Sequence, residues 1–273
     1  IIDPVRPERG GILAAAAEQV TDDLVNFMAT HARAIVAVAL APERIERLAL
    51  RLQGPWDNSL DRENYTTSIE AREGVSTGIS AADRARTVRA VADFRTRSED
   101  LSVPGHIFPA QGDPQGLLGR QGWSEACLDL ARLAGAQPAM AFCQILDEAG
   151  EIADTTHLSN LAEHHGIPCM GIAGIISYRM SQETFVTQRI QSTLPTRHGE
   201  FLCRVFENRL DGKEHLAYTL GEVRSSEPLL VRLHSECLTG DVFGSLRCDC
   251  GTQLNAALEN IRKEGRGVLL YLQ

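Results

Sequence analysis

No run in this sequence of 273 residues approaches the roughly 20 consecutive apolar side chains that a helix needs to cross a bilayer, so a membrane partner is not expected. A signal peptide is missing too: the opening IIDPVRPERGG has no apolar stretch behind a basic start. It lacks an initiator Met and reads as a chain entered in mid-strand, with upstream residues removed or outside the sequence. There is no basic excess, because 27 Lys and Arg face 36 Asp and Glu, for a net charge of −9. That argues against a general nucleic-acid surface and leaves room only for a local basic pocket, of the size a phosphorylated metabolite needs. Internal repeats and low-complexity tracts are absent.

What is present suits a globular chain: 43% hydrophobic and 23% charged residues. The length allows one large or two ordinary domains. The seven cysteines are odd in number and scattered, except for three between 237 and 250. Without an export signal they read as reduced thiols in a cytoplasmic protein.

Periodicity and caps predict the elements. TDDLVNFMATHARAIVAVAL is a helix capped by Thr21, then an apolar strand. APERIERLALRL is a short helix begun by Pro42, and NYTTSIEA an alternating strand. SAADRARTVRAVADF is a helix behind a Ser cap, and SEACLDLARLAG one capped by Ser124 and ended by Gly135. AMAFCQIL is a strand and HLSNLAEHHG a helix ending at Gly166; GIAGIISYRM is open between types. The polar run QRIQSTLPTRHG, with Pro195, is the expected boundary between domains 1–190 and 191–273. Past it, EHLAYTLGEV and PLLVRLHSE are strands, GTQLNAALENIRKEG is a helix ending at Gly265, and GVLLYLQ starts a strand. The mixture places the chain in the α/β (α+β) class.

Cys237, Cys248 and Cys250 are spaced C-x10-C-x-C. They cannot share one helix face, but a loop and a turn can bring them together. Three soft thiolates with an open fourth position form the donor set of a catalytic Zn2+. His234 lies near in sequence, and only geometry can say whether it joins them. The alternative is three thiols with no metal.

The strings NFMATHARA, IEAREGVSTGISAADRARTVRA, PGHIFP, GRQGWSEACLDLARLAG and LAEHHGI together resemble the 3,4-dihydroxy-2-butanone 4-phosphate synthase family, over nearly all of residues 1–185. The resemblance implies an α/β domain that dimerises, with active sites at the subunit interface. It implies a reaction that rearranges ribulose 5-phosphate and expels formate, using Mg2+ and several acid–base groups. Those groups are altered here. The family's loop Arg-Glu-Asn-Glu-Gly-Asp aligns with PERGGI. Glu8 matches the metal-binding Glu, while Pro7, Arg9, Gly10 and Ile12 replace the Arg, the Asn, the second Glu and the Asp. DRENY, at 61–65, copies the loop's letters but precedes the Thr-rich strand, and is read as coincidence.

The family's Arg-Gly-Gly-His-Thr-Glu becomes RQGWSE, Arg120 to Glu125. Trp123 stands where the metal-binding His belongs, and an indole only donates hydrogen bonds. Arg120 and Ser124 would still suit a phosphate, together with N–H groups of the following helix. Gln144 replaces a catalytic Glu and cannot exchange a proton at neutral pH. His106 and Glu125 are kept. With three elements broken, the synthase reaction is expected to be lost and Mg2+ not to be held, leaving a dimerisation scaffold. The alternative is a rebuilt pocket in which Trp123 and Arg120 take a planar anion by stacking and pairing.

The string LPTRHGEF, followed by LVRLHSECLTGDVFGSLRCDCGTQL, resembles the front half of GTP cyclohydrolase II. This implies that Cys237, Cys248 and Cys250 hold Zn2+ and that Arg232, Glu236 and Gln253 contact GTP, Arg being suited to phosphate. It implies hydrolytic opening of the imidazole ring of GTP, with release of formate and pyrophosphate. KEGRGVLLY carries the earlier of the family's two Glu-Gly-Arg-Gly strings, so Glu264 and Arg266 are not assigned to GTP. The family's general base, its pyrophosphate-attacking Arg and a Tyr near the base belong to the half not seen here. The expectation is therefore part of a longer riboflavin-type bifunctional chain, a cyclohydrolase only when complete. The alternatives are a non-catalytic scaffold, a metabolite-sensing module, or a divergent enzyme of a GTP-derived specialised pathway. Expected partners are GTP or a sugar phosphate and a second copy of the chain, not nucleic acid.

Overall fold

The computed structural model describes residues 1–60, 62–224 and 226–273. The described chain divides into two compact units, Ile1–Gln182 and Glu183–Gln273.

The first unit runs β1 (Ile12–Ala16), α1 (Asp22–His31), β2 (Ala37–Leu40), α2 (Pro42–Arg47), β3 (Ile69–Ala71), α3 (Ala81–Ala92), β4 (Leu101–Gln111), α4 (Trp123–Leu133), β5 (Ala139–Gln144), α5 (Thr155–His165) and α6 (Ile172–Gln182). Its sheet has the order β1-β5-β2-β4-β3, with β2 and β4 parallel and the other pairs antiparallel. Alternation along the strands supplies both faces. Val38, Leu40, Ala141 and Cys143 pack toward α1, α3 and α5, while Ala37, Ala39, Met140 and Phe142 pack toward α4 and α6. Both faces are covered, so β2 is buried throughout.

Several local readings hold. The Thr21 hydroxyl accepts from the Leu24 N–H at 3.2 Å, and the Ser80 hydroxyl from that of Asp83 at 3.1 Å. Pro42 opens α2, and Gly166 ends α5 in the left-handed conformation. Others need correction. Ser124 does not cap α4: it lies inside the helix, whose N-cap is Gly122, without a side chain to offer. The strand expected over NYTTSIEA shrinks to Ile69–Ala71, because Tyr65 and Thr66 make only isolated bridges, to Ala110 and Leu52. GIAGIISYRM resolves into α6. The sequence also conceals β4, which carries Pro104 and Pro109 inside a sheet where proline normally argues against a strand.

The second unit contains β6 (Val186–Thr196), β7 (Gly199–Asn208), β8 (Glu214–Leu220), β9 (Val231–Ser235), the one-turn α7 (Leu238–Asp241), α8 (Cys250–Glu264) and β10 (Gly267–Leu272). Its sheet has the order β6-β7-β8-β10-β9, antiparallel except for β9 with β10. The run expected to be a boundary is mostly β6, an exposed edge strand paired along β7. The units divide earlier, between Gln182 and Glu183. Helix α8 packs Ile261 with Leu254 and Leu258 against Phe201 and Leu269 of the sheet.

Candidate functional site

Two constellations compete for the role of site, one in each unit. In the first unit, α4 begins without a local cap, so its first N–H groups need an acceptor from elsewhere. The carboxylate of Glu63 supplies it. It accepts from the Trp123 N–H at 3.0 Å, from the Ser124 N–H at 3.1 Å and from the Ser124 hydroxyl. Arg120 lies 3.7 Å from Glu63 and donates to Glu125 at 2.8 Å and to the carbonyls of Ser59 and Arg62. The donors expected to take a phosphate are thus met by protein oxygens. Glu125 is fully buried; desolvation, and then the nearby Glu63, push its pKa up to about 7.

Other positions expected to be altered are engaged as well, although Arg9 Nη2 is buried without a hydrogen-bond partner. Arg9 is 9% exposed, pairs with Asp3 at 2.9 Å, donates to the Gln121 carbonyl and lies 4.6 Å over the Trp123 ring. The Gln144 amide donates to the carbonyls of Arg9 and Gly11, both at 3.0 Å, which a carboxylate could not do. Trp123 and Gln144 share the wall of a cavity of about 650 Å³ with Trp56, Glu63 and Tyr65; Glu8 and His106 are not in that wall. Glu8 is exposed, and His106 lies 3.4 Å from Glu70.

Sequence reasoning missed Glu63, because it set DRENY aside. Asp61 of that string lies outside the described residues, whereas Glu63 reaches 61 positions along the chain to Ser124. The usable signal was Gly122, a helix start with no side chain able to cap it.

In the second unit, β9 delivers Cys237 to the start of α7, and the turn before α8 brings Cys248 and Cys250. The three sulfurs lie within 4.8 Å of one another, with Cys237 and Cys248 3.7 Å apart. A tetrahedral metal with Zn–S bonds near 2.3 Å sets its sulfurs about 3.8 Å apart. Gly240 floors the cluster. A Cβ there would sit 2.7 Å from the Cys248 sulfur and 3.3 Å from that of Cys237. The sulfurs bias one another's protons. The Gly240 N–H, the Thr239 hydroxyl and the other two thiols lower the pKa of Cys237, while hydrogen bonds to Cys248 and Cys237 push Cys250 up to about 12. Donor type, spacing and floor fit a zinc ion.

His234 is not in the cluster; its Nε2 lies 3.0–3.1 Å from both oxygens of Asp241. Tyr271 Oη and the Cys237 N–H also donate to Asp241, at 2.9 and 3.0 Å. Burial alone would raise this carboxylate's pKa, but its three donors hold it below the usual range. Arg232 and Gln253 come together at 2.6 Å, and Arg232 Nε is buried with no hydrogen-bond partner. Glu236 is exposed, and its N–H extends the β9–β10 ladder to Leu272. Arg266 is engaged by Glu227 and the Pro228 carbonyl. Among the described residues no helix is long and apolar enough to cross a membrane.

Comparison with known proteins follows the same division. The chain matches the 3,4-dihydroxy-2-butanone 4-phosphate synthase family over residues 1–178 and GTP cyclohydrolase II over residues 187–273. The riboflavin biosynthesis proteins RibBA of Bacillus cytotoxicus and Aquifex aeolicus are 44% and 43% identical to it, over 273 and 274 residues. Each alignment covers 100% of this chain and 68% of the relative, so the chain spans about two thirds of their length. Among solved structures, RibBX of A. baumannii, a two-domain 3,4-dihydroxy-2-butanone 4-phosphate synthase, is 34% identical. Its TM-score is 0.76 over 99% of this chain and 76% of its own. A synthase solved with two magnesium ions is 28% identical, with a TM-score of 0.63 over 67% of this chain and 89% of its own.

Proposed function

The chain belongs to the RibBA family of riboflavin biosynthesis proteins, and on that premise we propose that its chemistry resides in the second unit, as the metal-holding part of a zinc-dependent GTP cyclohydrolase II. The observation that carries this is the convergence of Cys237, Cys248 and Cys250 over the floor made by Gly240. Zinc held there supplies Lewis acidity and a water of lowered pKa. The thiols of Cys237, Cys248 and Cys250 bind the ion, and Arg232, with its unpartnered Nε, is placed for an anionic part of the nucleotide, beside Gln253. Glu236, exposed at the end of β9, completes the proposed GTP contacts. The test is metal analysis of the purified chain, which should hold about one zinc per chain. Retention of the metal by Cys237→Ser protein would sink the assignment. Opening of GTP, with formate and pyrophosphate as products, is proposed only when the full cyclohydrolase domain is present.

The first unit is proposed to have lost synthase activity and Mg2+ binding and to act as a dimerisation scaffold. Support comes from Trp123 in the place of a metal-binding imidazole, from Gln144 stapled to the β1 loop, and from Glu63 seated on the N–H groups expected to take a phosphate. Incubating the whole chain with ribulose 5-phosphate and Mg2+ should yield no dihydroxybutanone phosphate; measurable product refutes the reading. The cavity bounded by Trp56, Tyr65 and Trp123 supports a second reading, a metabolite-sensing pocket for a planar ligand, which a ligand-induced change in tryptophan fluorescence would reveal.

A further inference from the structure

We propose that Asp241 is the positioning residue that keeps the Cys237 arm of the thiol cluster in ligating geometry; this rests on reading the cluster as a zinc site. The Asp241 carboxylate is hydrogen-bonded to His234, Cys237 N–H and Tyr271 and to none of the three sulfurs. Asp241 closes α7 on the main chain of Cys237 from both sides: its carboxylate accepts the Cys237 N–H at 3.0 Å, and its own N–H donates to the Cys237 carbonyl at 2.7 Å. The same carboxylate accepts from His234 on β9 and from Tyr271 on β10, two residues opposite each other in the parallel pair. Their rings stack at 5.5 Å, and the His234 and Asp241 side chains are 3% and 2% exposed. One buried anion therefore bolts the loop that carries a thiol to two strands of the sheet.

The other two thiols do not need this device. Cys250 is the first residue of α8, and Cys248 lies two residues before it; α8 is anchored by Ile261 in the core. Glycines let the two arms approach: a Cβ on Gly251 would lie 2.3 Å from the Gly240 carbonyl oxygen. Cys237 has no such helix behind it, only the single turn of α7. Three donors converging on one side chain also select a carboxylate. A carboxylate accepts at both oxygens, whereas an asparagine turns an NH2 group toward one of the donors. Groups that orient a ligand from behind tune metal affinity without contacting the metal.

The experiment compares the whole chain with its Asp241→Asn and Tyr271→Phe variants. Zinc affinity is read by competition with a chromogenic chelator. The geometry of the site is read from the thiolate-to-metal absorption of Co2+ bound in its place. Asp241→Asn should weaken zinc binding by about 10–100-fold, with a shifted or broadened cobalt band and an unchanged far-UV dichroism spectrum. Tyr271→Phe, which leaves two donors in place, should give a smaller loss in the same direction. Parental affinity and spectrum in Asp241→Asn overturn the proposal. If that variant does not fold, parental values in Tyr271→Phe overturn it instead. Failure of the zinc reading itself shows elsewhere, as undiminished metal in Cys237→Ser protein.

Discussion

The two units differ in what their polar side chains gather around. In the first, side chains near the start of α4 engage one another: Glu63 and Glu125 share Arg120, Arg9 pairs with Asp3 although its Nη2 is buried without a partner, and Gln144 is spent on main-chain carbonyls. In the second, three sulfurs gather with little but one another for company, and Arg232 keeps a buried Nε without a partner. Buried polar groups normally find partners inside the protein, so closed networks fit a structural role. Three thiols converged within 4.8 Å of one another fit a metal site.

The largest expected effect tests the second unit. Gly240→Ala puts a methyl group within 2.7 Å of the Cys248 sulfur, so the cluster must open. Zinc should be lost almost completely on metal analysis, with the fold intact by circular dichroism; full zinc content would break the contrast. Next is the closed network of the first unit. Arg120→Ala leaves Glu63 and Glu125 facing each other, with side chains 7% and 0% exposed and no guanidinium between them. Urea unfolding should show a loss of about 3–5 kcal/mol. A loss below about 1 kcal/mol, typical of exposed ion pairs, would mean the network is not structural.

The smallest effect is a pH dependence. The folded pKa of Glu125 is raised from 4.5 to about 7, so the folded state keeps this proton while the unfolded state gives it up. Its contribution is fully present below pH 4.5 and is lost as pH rises through about 7. The stability difference between the parent and Glu125→Gln should therefore move in favour of the variant as pH rises from 4.5 to 7. The slope should not exceed about 1.4 kcal/mol for each pH step of one, the limit for a single proton. A constant difference across that range would show that Glu125 titrates normally.

Reading along the chain succeeded where the interaction is short. Thr21 and Ser80 cap their helices through N–H groups three residues away, and Gly166 and Gly265 end theirs by left-handed turns. It failed where the partner is remote. Ser124 looked like a cap, yet the acceptor at the start of α4 is Glu63, from a string dismissed as a chance copy. Strand β4 was missed because local preference counts its prolines against it, while neighbours on both sides hold it in the sheet. Asp241 went unnoticed because nothing in LTGD announces that His234 and Tyr271 will meet there.

The sequence by itself determined the family, the order of its two parts and the identity of the three thiols, because those rest on residue types and spacings that the covalent chain carries. Tertiary structure decided which charges are spent and which stay available. That depends on burial and on contacts between distant segments, and a carboxylate 61 residues away is invisible to any local rule. Glu63 and Asp241 are both acids within short polar strings. Only the fold turns one into the cap of a helix at an altered site and the other into the support behind a cluster of thiols.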